Sequence, residues 1–183
     1  ATGAAIIGWI AVEFFRDKKG TSLGAASGAV AGLVAITPAA GALSPFGSIF
    51  LGLVAGVLCA LAVGLKYKLG YDDSLDVVGV HLVGGLVGTI LIGLLASSDV
   101  TSVDGLFYGG GVDQLGKQLV AAGVTLAYSF AATAAIVAVL DRTIGFRVDP
   151  DHETQGVDLV IHAEAAYDLH ALSGTRPHLG GHQ

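Results

Sequence analysis

Between Thr21 and Leu65 the chain carries 45 consecutive residues without an Asp, Glu, Lys or Arg. No water-soluble fold leaves so long a stretch without a charged face. Two more runs of this kind come later, Val77 to Ser98 with 22 residues and Gln118 to Leu140 with 23. A membrane-spanning helix needs about 20 mainly apolar residues, so the later runs match one span each. The first is long enough for two spans and a connection. Thr37-Pro38-Ala39-Ala40-Gly41-Ala42-Leu43-Ser44-Pro45-Phe46-Gly47 supplies that connection, because its prolines and glycines break a helix. The N-terminal stretch Ala1 to Phe15 is apolar except for Glu13 and is short for a span.

The pattern predicts an all-α, polytopic membrane bundle of five helices, at about 1–16, 22–38, 46–66, 75–97 and 113–142. Residues 1–145 form the transmembrane bundle and 146–183 a C-terminal tail. Charged residues are 13% of the 183, and Cys59 is the only cysteine, which excludes a disulfide scaffold. A net charge of −6 without a basic patch argues against a nucleic-acid partner. The N-terminus does not read as a signal peptide, since Arg16-Asp17-Lys18-Lys19 comes after the apolar stretch instead of preceding it.

The basic residues give an orientation. Arg16, Lys18, Lys19, Lys66, Lys68, Arg142 and Arg147 fall on one side of a five-span bundle, and only Lys117 falls on the other. The positive-inside rule places the first group in the cytoplasm, with the N-terminus outside and the C-terminus inside. Small residues recur at four-residue spacing: Gly24, Gly28 and Gly32; Gly52, Gly56, Ala60 and Gly64; Gly84 and Gly88. Such stripes let helix backbones approach closely in lipid.

His81 stands alone among the apolar residues of the fourth predicted helix. It lies eight residues beyond Asp73, about 12 Å along a helix and so near the middle of a core about 30 Å thick. Its helical neighbours are Val77, Val78, Gly84 and Gly85. An imidazole beside an apolar wall and a position without side chain suits a narrow path, since intramembrane polar residues tend to face cavities or partners. Asp72, Asp73 and Asp76 crowd the start of that helix, where carboxylates cap free N–H groups. No nucleophile or acid lies near His81 in its span, so an enzyme is not expected, nor is a cofactor or a metal site.

Three ordered motifs then resemble those of the ammonium transporters, the Amt/Mep/Rh family. Asp72-Asp73-Ser-Leu-Asp76-Val77-Val78-Gly79-Val80-His81-Leu-Val-Gly84-Gly85 resembles the signature DD-x-x-DV-x-GVH-x-x-GG. Ser27 to Gly41 resembles SGAxAGLVAITPAxG. Gly156-Val-Asp158-Leu-Val-Ile-His162-Ala-Glu164-Ala-Ala-Tyr167 is similar to the conserved tail, with Ala163 where the pattern has Gly.

The resemblance implies spans seven to eleven of an eleven-span, inverted-repeat transporter, the N-terminal half being absent. It implies ammonium or ammonia as substrate, with His81 as the inner member of a pore histidine pair. Val77 becomes a wall residue and Asp76 a structural cap near the pore. It further implies a homotrimer and a regulatory tail of Gly156, Asp158, His162, Glu164 and Tyr167, open to a PII-type signalling protein. The alternative it leaves open is a non-transporting sensor or assembly subunit derived from a transporter half.

Overall fold

The computed structural model describes residues 1–164. Its elements are α1 (Thr2–Asp17), α2 (Ser22–Ile36) with a 3-10 turn Thr37–Ala39, α3 (Pro45–Val63), α4 (Leu65–Leu69), a π-helical segment Val77–Leu82, α5 (Val83–Leu95), a 3-10 turn Leu106–Tyr108, α6 (Asp113–Thr143), α7 (Pro150–Gln155) and a π-helical turn Asp158–His162. The described residues contain no named strand; one isolated bridge joins Leu43 to Ala96. The expected five long helices are therefore present. Four helical runs are long and apolar enough to cross a membrane: Ser22–Ala39, Pro45–Leu69, Val77–Leu95 and Asp113–Thr143. Helix α1, with 16 residues, is about 24 Å long at 1.5 Å per residue.

The helix starts obey local chemistry. Thr21 accepts a hydrogen bond from the Gly24 N–H at 2.8 Å, and Ser44 accepts one from Gly47 at 3.2 Å with Pro45 in the first turn. These are side-chain caps of the preferred types, Pro45 having no N–H to leave unpaired. Helix α2 passes into its 3-10 turn at Thr37, directly before Pro38, which has no N–H to continue the α-helical ladder.

Helix α1 packs against α2 and α3, and α5 packs against both as well. The predicted small-residue stripes are the contact surfaces. A Cβ on Gly28 would press on Trp9 and Ile6 of α1, and one on Gly56 would strike the Ala5 backbone. Gly88 meets the Ala35 backbone in the same way. The buried residues around these crossings are mostly alanine, with Leu51, Cys59, Trp9 and Val80. Close backbone approach supplies the packing here, as expected where lipid removes the hydrophobic drive between helices.

Glu13, the exception in the first apolar stretch, is buried at 9% exposure. Its carboxylate accepts from the Trp9 indole at 3.2 Å, the Thr21 N–H at 2.8 Å and the Thr21 hydroxyl at 3.1 Å. It thereby ties the end of α1 to the start of α2. A buried carboxylate without these donors would carry a large desolvation cost.

The chain divides into two units, residues 1–129 and 130–183, with the boundary inside α6. No residue of α6 is buried.

Candidate functional site: the histidine-bearing face

The segment that carries His81 begins differently from the expectation. Asp76 sits at the N-cap position, but its side chain makes no capping hydrogen bond. Asp73 does this work. Its carboxylate accepts from the N–H groups of Val77 at 2.7 Å, Val78 at 3.0 Å and Gly79 at 3.4 Å. The cap assigned to Asp76 therefore belongs to Asp73, because the chain turns sharply between them. Asp76 adopts a left-handed conformation, φ 56°, and this turn brings the Asp73 carboxylate under the free N–H groups. The Asp76 carboxylate faces Lys66 instead, 2.5 Å from its Nζ.

Val77–Leu82 is π-helical, a wider winding that recurs at functional positions inside helices. One side of it is fixed. Gly79 and Val80 are buried against α3. The other side is open: Val77 is 52% exposed, and His81 and Leu82 are exposed too.

The two glycines beyond His81 separate. Gly84 is buried, and a Cβ there would meet Val34 and Cys59. A Cβ on Gly85 would meet nothing within 4 Å. The open face is thus Val77, Val78, His81 and Gly85, while Gly84 is an interhelical contact. A cavity of about 590 Å³ lies elsewhere, lined by Trp9, Glu13, Arg16, Ser27, Lys68 and Asp76 among others; His81 does not line it.

Lys66, noted in the sequence only as a basic flank, is the residue that reasoning from motifs missed. It donates to the Asp73 carbonyl at 3.0 Å as well as to Asp76. Its separation from Asp76 by ten residues is not one of the helical i+3, i+4 or i+7 spacings and spans a turn, so the local pattern carried no signal of the pairing.

In the second unit, four predicted tail residues fall within one short stretch. Gly156 has φ 101°, and its carbonyl accepts the Val160 N–H at 3.0 Å. Asp158 and His162 bound the π-helical turn, and the Glu164 N–H donates to the Asp158 carbonyl at 3.2 Å. Ala163 is left-handed, φ 53°, which is the conformation a glycine takes without cost. That accounts physically for the Gly of the resembled pattern. Tyr167 lies outside the described residues.

Apolar helices long enough to cross a membrane, crossing at small residues, define a polytopic membrane protein. The chain belongs to the Ammonium Transporter Family, whose model matches residues 1–167. It is 53% identical over 182 residues to the ammonium transporter of Mycobacterium tuberculosis, covering 96% of this chain and 38% of that protein. It is 46% identical to the ammonium transporter of Bacillus subtilis, covering 91% of this chain and 42% of that one. Among solved structures it resembles Saccharomyces cerevisiae Mep2, with a TM-score of 0.76 and 32% identity, over 82% of this chain and 35% of Mep2. A structure described as a sensor Amt protein matches with a TM-score of 0.74 and 28% identity, over 90% of this chain and 40% of that one. The chain thus spans well under half the length of these relatives.

Proposed function

We propose that this chain forms one wall of a membrane pathway for ammonium or ammonia, completed by a further portion of a longer transporter. The observation that carries the reading is the open face itself. In the described residues, the one histidine of the apolar spans stands exposed between Val77 and the empty position at Gly85. Left to lipid, such a face would expose an imidazole where polar groups are costly. Covered by a second wall, it becomes a narrow, mostly apolar channel with one proton-exchanging group.

The chemistry suits the substrate class. Stripping water from a cation in an apolar channel is costly, and losing a proton removes most of that cost. The neutral imidazole has one N–H donor and one ring-nitrogen acceptor. It can therefore hydrogen-bond to ammonia as donor or as acceptor. Val77 supplies apolar wall one turn away. Asp73 and Asp76 act on the segment's geometry and do not touch the substrate.

The reading extends to the rest of the chain. Arg16, Lys66 and Arg142 then face the cytoplasm, a reading supported by the positive-inside rule, with residues 146–183 as a cytoplasmic tail. Gly156, Asp158, His162, Glu164 and Tyr167 form its regulatory element. It meets neighbouring subunits of a homotrimer and a PII-type partner.

Two experiments test this. The chain fused behind the N-terminal portion of the M. tuberculosis relative should take up methylammonium in reconstituted vesicles. The chain alone should stay at the empty-vesicle background. Uptake by the chain alone would overturn the partial-wall reading, and a folded but inactive fusion would favour the sensor alternative. For orientation, an impermeant thiol reagent on intact cells should label Ser102→Cys and leave Thr154→Cys unlabelled. Labelling of Thr154→Cys would reverse the topology.

A further inference from the structure

Cys59, Val63 and Lys66 are spaced at i, i+4 and i+7 along the run from α3 into α4, so they share one face. Each holds one point of the π-helical segment. The Cys59 thiol lies 3.8 Å from the Val80 carbonyl oxygen, within reach of a weak S–H hydrogen bond. Val63 backs onto Gly79, where an added Cβ would lie 3.0 Å from the Val63 nitrogen and Cα. Lys66 reaches across the turn below, bonding the Asp73 carbonyl and the Asp76 carboxylate with one ammonium. The two charged side chains are largely shielded, 14% and 28% exposed.

Between those two acceptors the backbone turns through left-handed Asp76, a conformation that aspartate tolerates better than most residues but only glycine adopts freely. Such a conformation persists only where its surroundings over-determine it. It also sets the phase of the π-helical winding, because the Asp76 carbonyl accepts the Val80 N–H at 2.8 Å, one residue before His81. The bound side of the segment carries Gly79 and Val80, and its free side carries Val77 and His81.

We propose that Lys66 is a positioning residue for the pathway: by holding the Asp73 carbonyl and the Asp76 carboxylate together, it locks the left-handed turn and fixes the rotation at which the segment presents His81. The proposal rests on the function argued above, and its test includes a readout that does not depend on transport.

The variants are made in the fusion transporter, and uptake is normalised to folded protein. Lys66→Met should lower methylammonium uptake by at least about fivefold, the effect of losing roughly 1 kcal/mol of correct positioning. Lys66→Arg, which keeps the donors, should recover most of it. Combining Lys66→Met with Asp76→Gly should also recover uptake, because glycine adopts the left-handed turn without a Cβ. Combining it with Asp76→Ala should not. If Lys66→Met does not fold, Lys66→Gln takes its place under the same criteria.

Independently of transport, Lys66→Met should change the rate at which a small thiol reagent modifies Val77→Cys by several-fold. Wild-type uptake in Lys66→Met beside a defective His81→Leu control would overturn the positioning role alone. Equal behaviour of the Gly and Ala combinations would overturn it too. If His81→Leu is itself normal, the pathway reading fails, and an unchanged Val77→Cys rate would then overturn the positioning role as well.

Discussion

Replacing His81 with leucine in the completed transporter should cut methylammonium uptake per folded protein by roughly 5- to 150-fold, the loss of one or two desolvated hydrogen bonds worth about 1–3 kcal/mol in all. Folded yield should stay close to wild type. The reason is geometric. His81 is exposed on the bundle face and lies outside its two cores, so no packing among the described residues collapses when it is replaced. Leucine fills a similar volume in apolar surroundings but neither donates nor accepts a hydrogen bond. His81→Glu should be milder, since a carboxyl group can still make hydrogen bonds in the channel. The substitutions therefore separate chemistry from bulk.

The second large effect falls on stability. Asp73→Ala should destabilise the bundle by about 2–4 kcal/mol, more than Asp76→Ala, read as a lower melting temperature in detergent. Asp73 is buried, and its carboxylate answers three successive N–H groups at the start of a helical run. Losing a cap costs about 0.5–2 kcal/mol, and the one of these donors that is buried, the Gly79 N–H, adds about 1–3 kcal/mol when left unpaired. Asp73→Asn keeps one acceptor and should fall between alanine and wild type. A larger loss from Asp76→Ala than from Asp73→Ala would return the capping role to Asp76.

That pair of aspartates marks where the sequence stops being legible. Both stand at the predicted start of the same helix, and composition treats them alike. The left-handed turn at Asp76 goes with Asp73 reaching the N–H groups, while the Asp76 carboxylate is taken up by Lys66, ten residues earlier. The helices themselves were readable, because lipid-facing segments must be apolar on every side and the missing charges outline them. The break of the third helix after Val63 was not, since Gly64 stays in right-handed helical geometry and gives no stop signal. The glycine stripes also foretold which faces touch: Gly28, Gly56 and Gly88 meet neighbouring backbones. Near His81 the same reasoning loses resolution. Gly84 and Gly85 are about 100° apart on a helix, and spacing alone cannot say that Gly84 turns inward and Gly85 outward. Glu13 stood out as the one charge in an apolar stretch, but its partner Thr21 comes from beyond the turn.

The histidine-bearing face is the centre of this account, and one paired measurement tests it most directly. Methylammonium uptake and folded yield are determined on the same preparations of the wild-type fusion and its His81→Leu variant. The account predicts equal yield and an uptake ratio of at least about fivefold in favour of wild type, the equivalent of about 1 kcal/mol. Equal uptake per folded protein, with selectivity for ammonium unchanged, would show that the imidazole takes no part in conduction and that the open face is not the pathway.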